Sequence, residues 1–108
     1  MGVTKLENYN TRQNQLAAIS KALGHPARIA ILEQILKANS CICGDLVEQL
    51  PLSQATVSQH LKALKEAGLI KGNIEGTSVC YCINPDTWEN GRDLLNQLFD
   101  SYTGATCC

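Results

Sequence analysis

The segment Leu52–Gly72, LSQATVSQHLKALKEAGLIKG, decides how this chain folds. Ser53 is a good helix N-cap, and Leu52 with Val57 stand at the two positions of a hydrophobic staple. Gly68 supplies a left-handed stop with Leu69 behind it, so the helix is bounded at both ends. On its wheel Val57, Leu61 and Leu64 share one face, leaving Ser53, Gln54, Ala55, Thr56, Ser58, Gln59 and Lys62 on or beside the outer arc. Short amide and hydroxyl side chains at the N-terminal end of a helix suit hydrogen bonding to base edges and phosphates in a major groove. A short helix over about Asp45–Leu50, stopped by Pro51, precedes it, and the two make a helix-turn-helix.

Working outward, the flanks predict further helices and one hairpin. Leu16, Ile19 and Leu23 fall on one face of a first helix that Gly24 stops. Pro26 opens a second, whose stripe of Ile29, Leu32, Ile35 and Leu36 runs to about Lys37. After Gly68, LIKGNIEGTSVCYCINP reads as two short strands about a Gly-containing turn, a hairpin placed where a wing would be. Asn84 and Pro85 cap and start a last helix with an apolar stripe of Trp88, Leu95, Leu98 and Tyr102. The fold class expected is mainly α with a small β-hairpin wing.

At 108 residues the chain suits one domain. No apolar run reaches membrane-span length, and the first twenty residues lack a signal-peptide core, which predicts a cytoplasmic protein with no membrane partner. Charge is nearly balanced, nine basic against ten acidic residues, so the chain as a whole is not a basic protein. The distribution is uneven: residues 53–72 hold three lysines and one glutamate, whereas 73–108 hold five acids and one arginine. A nucleic-acid surface would therefore sit mid-chain, around Lys62, Lys65 and Lys71. There is no Gly-rich phosphate loop, no Cys-His pair at recognisable spacing and no catalytic carboxylate dyad, which argues against an enzyme.

The stretches ALGHPARIAIL, LSQATVSQHLKALKEAGLIKG and the hairpin ending in VCYCIN resemble the winged helix-turn-helix repressors of the ArsR/SmtB family, from about Leu16 to Asn84. The resemblance implies a homodimer joined through its first and last helices, seated on a palindromic operator and released when a metal or metalloid ion binds. It divides the chain into a core of about 16–84, a dimerisation helix of about 85–102 and a mobile tail at 103–108. The seam would use Leu16, Ile19, Trp88, Leu95, Leu98 and Tyr102. DNA contacts would come from Ser53 to Lys62, with His60, flanking the core side of the helix, packing or reaching a phosphate, and from the wing near Lys71 to Thr77. Two departures stand out. No histidine follows His60, so the last-helix zinc site of some relatives is missing, and CICGDL stands where arsenic and lead sensors resemble CVCDL.

Six cysteines in a reducing compartment point to metal or redox work. They come as Cys41 and Cys43, Cys80 and Cys82, and Cys107 with Cys108. Residues two apart share a face in a strand but not in a helix, so both Cys-x-Cys pairs favour extended backbone. If a short strand pairs antiparallel with the second wing strand and Ile42 lies beside Tyr81, Cys41 falls opposite Cys82 and Cys43 opposite Cys80. All four sulfurs then share one outward face, where thiolates could hold a soft ion: arsenite or antimonite first, since arsenic(III) favours three thiolates, then cadmium, lead or zinc. The alternative is a thiol-redox or reactive-sulfur response through a Cys41–Cys82 bridge. A thiol enzyme or metal buffer without DNA function is the third class. Cys107 and Cys108 are accessory ligands or redox groups, and His25 is a capping or packing residue.

Overall fold

A computed structural model of the chain describes residues 6–43, 50–75 and 78–104. A 3-10 turn at Leu6–Asn8 leads into helix α1, Thr11–Leu23, and then α2, Pro26–Ala38. A two-residue strand β1, Ile42–Cys43, precedes α3, Gln54–Glu66. The hairpin of β2, Ile70–Glu75, and β3, Ser78–Ile83, runs directly into α4, Pro85–Asp100. The architecture is mainly helical, with an antiparallel sheet in the order β1-β3-β2, as the sequence predicts. The short helix expected at Asp45–Leu50 lies outside the described residues apart from Leu50, as do Thr77, Cys107 and Cys108.

Local chemistry sets each helix end. Asn10 and Gln13 form a reciprocal capping box at α1, a signal the sequence reading passed over. Gly24 ends α1 with φ −80°, so its stop is not left-handed; the extended His25 that follows redirects the chain. His25 caps α2, its Nδ1 accepting from the Ala27 N–H at 3.0 Å, and Pro26 takes the first turn, where no donor is needed. Helix α3 has the predicted Ser53 cap. At its other end the Gly68 N–H donates to Lys65 O and the Leu69 N–H to Leu64 O, a paired closure around a left-handed Gly68 (φ +83°). Asn84 caps α4 through its backbone alone. Its carbonyl accepts from the Trp88 N–H, and its own N–H donates to Leu69 O, fixing α4 to the start of β2.

The core forms where α2 crosses α3. Ile31, Leu32 and Ile35 meet Val57, Leu61 and Leu64, with Ile42, Leu69 and Ile70 closing the sheet side. Each such side chain contributes about 1.5–3 kcal/mol on burial, which makes this small cluster the main stabilising block. The stripe predicted for α2 is displaced: Ile29 and Leu36 are exposed, because α3 and the sheet approach from the Ile31 side. Helix α4 packs on α1 at Gly91, and Leu94 is its other buried residue; neither belongs to the stripe read from the sequence. A Cβ at Gly91 would lie 3.1 Å from Ile19 Cδ1, so the Ile19 side chain packs directly on the bare backbone of α4.

Gly68→Ala places an L side chain in the left-handed region and its Cβ 3.1 Å from Thr87 Oγ1. The substitution should cost about 1–3 kcal/mol in urea unfolding. Gly104→Ala, also at positive φ but with open space around it, serves as the comparison and should cost less.

Candidate functional site

Helix α3 presents Gln54, Ala55, Ser58, Gln59 and Lys62 to solvent, the arc read from the sequence. Two of the polar groups are partly committed. Ser53 Oγ accepts from the Thr56 N–H at 3.3 Å and lies 2.9 Å from Thr56 Oγ1, so both hydroxyls share the cap. Lys62 lies 4.0 Å from Glu66, but both side chains are well exposed, and such a pair holds the lysine weakly. Lys71 is exposed on β2. Lys65 extends its amine over Gly72, where a Cβ would lie 3.4 Å from Nζ, and so stands between helix and wing. Ile74, 81% exposed, pairs with the exposed Val79 near the hairpin's end. Val79 alternates with Cys80 in the sequence alongside Tyr81 and Ile83, whereas Ile74 went unremarked, and alternation alone does not say which face is covered.

His60 does not join that face. It is 9% exposed, and its ring lies 4.4 Å from that of His25. Arg28 donates from Nε to His60 Nδ1 at 3.2 Å and from Nη1 to the carbonyls of Lys21 and Ala22. One guanidinium therefore ties the end of α1 and the start of α2 to α3. Burial lowers the His60 pKa below its ordinary value, and the neighbouring His25 and Arg28 lower it further. A proton on Nδ1 would meet the Arg28 N–H head on. The phosphate contact expected of His60 is corrected: the ring is a neutral acceptor within the fold.

The cysteines follow the predicted register. Ile42 is opposite Tyr81, and the Cys43 backbone is opposite Cys80. Cys41, just outside the strand, forms a disulfide with Cys82, residues 41 apart in sequence with Cα atoms 4.3 Å apart. Cys80 is also disulfide-bonded. The expectation of four outward sulfurs is corrected, since Cys80 is only 1% exposed whereas Cys41 is exposed and Cys82 half-buried. Asn73 Nδ2 donates to Cys82 Sγ at 3.7 Å. In this bonded form the sulfurs lack the thiolate charge a soft ion needs, and no group of three ligating side chains occurs among the described residues. Reduction is required before these cysteines suit an ion.

The predicted seam residues divide. Leu98 and Tyr102 are exposed, the latter 73%, alongside the unpredicted Phe99 at 71%. Leu16, Trp88 and Leu95 are half-buried, and Ile19 is spent against Gly91 within the chain. An apolar groove of about 350 Å³ runs between α1 and α4, walled by Leu23, Trp88 and Leu95. No described helix is long and apolar enough to cross a membrane.

Residues 25–71 match the model of the arsR family of bacterial regulatory proteins. The chain is 35% identical over 88 residues to an uncharacterised HTH-type transcriptional regulator of Methanocaldococcus jannaschii, covering 81% of this chain and 98% of that protein. It is 30% identical to the arsenical resistance operon repressor of Staphylococcus xylosus, covering 86% and 88% of the two. The crystal structure of an ArsR family transcriptional regulator superposes with a TM-score of 0.71 at 19% identity, covering 87% of this chain and 96% of that one.

Because the unfolded His60 takes up a proton near its ordinary value of 6.5 and the folded ring resists until a lower pH, stability should be full above that value and fall as pH drops below it. Urea unfolding from about pH 7 to about pH 5.5 should show this loss, and His60→Asn, which keeps an acceptor for Arg28 but does not titrate, should flatten it. Reducing the Cys41–Cys82 bond frees a loop spanning 41 residues, so the reduced chain should unfold at lower urea, by up to about 4 kcal/mol on the chain-entropy account.

Proposed function

This chain belongs to the arsR family of bacterial regulatory proteins, and from that membership we propose a homodimeric repressor whose grip on a palindromic operator is set by the bonding of Cys41 to Cys82. The relatives named above are transcriptional regulators and not enzymes. The reading treats the chain as one winged unit acting in the cytoplasm. Gln54, Ala55, Ser58 and Gln59 read base edges, Ser53 and Thr56 hold the helix start in shape, and Lys62, Lys65 and Lys71 meet phosphates. Leu16, Trp88, Leu95, Leu98 and Tyr102 form the seam, joined by Phe99, and two-fold protein symmetry matches operator symmetry.

The cross-strand disulfide carries the effector reading. It joins the residue before β1 to the wing strand β3, so α3 and β2 lie within the loop it closes. Closing that loop restricts the angle between reading helix and wing, and the operator is released on oxidation. Thiol oxidation thereby moves ahead of ion binding as the effector chemistry. Ion binding is the second reading, favoured by the Cys43–Cys80 register and by the likeness to an arsenical resistance repressor. There the reduced Cys41, Cys43, Cys80 and Cys82 would supply thiolates to arsenite or antimonite, or to cadmium, lead or zinc, with Cys107 and Cys108 as accessory donors.

Fluorescent DNA from the protein's own promoter decides between them. In metal-free buffer the oxidised chain should bind about tenfold more weakly than the reduced chain, reversibly with reductant, and Cys41→Ser or Cys82→Ser should stay bound in oxidant. Equal affinities of the two forms would reject the redox reading. Release of the reduced chain by near-stoichiometric arsenite, lost in either serine variant, would establish the second reading.

A further inference from the structure

The disulfide is not sealed in the protein. Both its cysteines line an open cavity of about 340 Å³, the size of a small-molecule site. Leu36, Ile83 and Trp88 form an apolar wall, and Asn39 and Ser40 give it a polar side. The two sulfurs differ. Cys41 is exposed, whereas Cys82 is half-buried and accepts the Asn73 amide N–H. Lys71, opposite Cys82 in the β2–β3 register, adds positive charge to the same face.

Resting on the redox reading above, we propose that this cavity admits a low-molecular-weight thiol, which reduces the disulfide in a fixed order. The incoming thiol, deprotonated to solvent, attacks Cys41 Sγ. The Cys41–Cys82 bond breaks, its electron pair leaves on Cys82 Sγ, and a mixed disulfide stays on Cys41. Asn73 and Lys71 stabilise the departing Cys82 thiolate, and a better leaving thiolate departs faster. A second thiolate attacks the small thiol's sulfur, releasing an external disulfide and the Cys41 thiolate; both cysteine thiolates then take protons from solvent. Two external thiols are oxidised and one protein disulfide is reduced. Cys41 is the modification site, and Asn73 is a positioning residue.

Two measurements test this. Reduced Cys82→Ser and Cys41→Ser chains are incubated with glutathione disulfide and peptide-mapped by mass. Mixed disulfide should form at Cys41 in the first about tenfold faster than at Cys82 in the second. Equal rates, or faster labelling of Cys82, would overturn the order of attack. The oxidised wild-type chain is then reduced with glutathione or with hydrosulfide, quenched by alkylation of free thiols, and the loss of the Cys41–Cys82 bond is followed by peptide mass. Leu36→Trp, at a surface position that narrows the cavity, should slow glutathione about tenfold and leave hydrosulfide nearly unchanged. Asn73→Ala, also at an exposed position, should slow both. Slowing of neither reagent by Leu36→Trp would remove the cavity from the proposal. Sulfur exchange is read here without DNA, so a switch that leaves operator affinity unchanged fails the function proposed above and not this one.

Discussion

The pairing of β1 with β3 is the constraint on which the rest of the molecule depends. Two residues of β1 suffice, because Ile42 buries itself opposite Tyr81 and commits the alternate positions to the other face of the sheet. A slip by one residue would turn Ile42 outward and set Cys41 or Cys43 in its place, so burial of one isoleucine fixes the register of the β1 cysteines. The same pairing ties the segment leading into α3 to the far strand of the wing. Reading helix and wing are neighbours in sequence only through Gly68; through β3 they are joined on a second side.

A second tie runs through Arg28. Its guanidinium reaches two carbonyls at the end of α1 and the ring of His60, and His25 caps α2 alongside. Helices α1, α2 and α3 thus meet at one hydrogen-bonded junction on the inner side of α3, while its outer arc carries little charge. That division lets the inner face specify the fold and leaves the outer face free for the operator contacts proposed above. Buried polar groups of this kind restrict how helices meet because each has one geometry that satisfies it.

Much of this was legible in the sequence. Ser53, Val57, Leu61, Leu64 and Gly68 announce α3 with both its ends, and the twofold spacing of the cysteines gives the strand register. His60 was also readable in retrospect. It stands three residues after Val57 and four before Leu64, flanking the inner face, a position that left packing and phosphate contact both open. Ile29 and Leu36 show the opposite error: a helical stripe marks apolar positions but does not say how wide the covering surface is. Leu94 escaped because Trp88, Leu95 and Leu98 form an equally regular series, and only the approach of α1 selects among them. The enclosure of Cys80 depends on what covers one side of a strand, which no spacing encodes.

The contact between Gly91 and Ile19 has a consequence for how such proteins diversify. The approach of α4 to α1 uses a missing methyl group, and an alanine there would need the end of the Ile19 side chain to give way. In the proposed dimer those helices form the seam, so this close approach within one chain shapes the surface that the two copies would share. A lineage that altered this position would reshape that surface before changing any residue of the outer arc of α3.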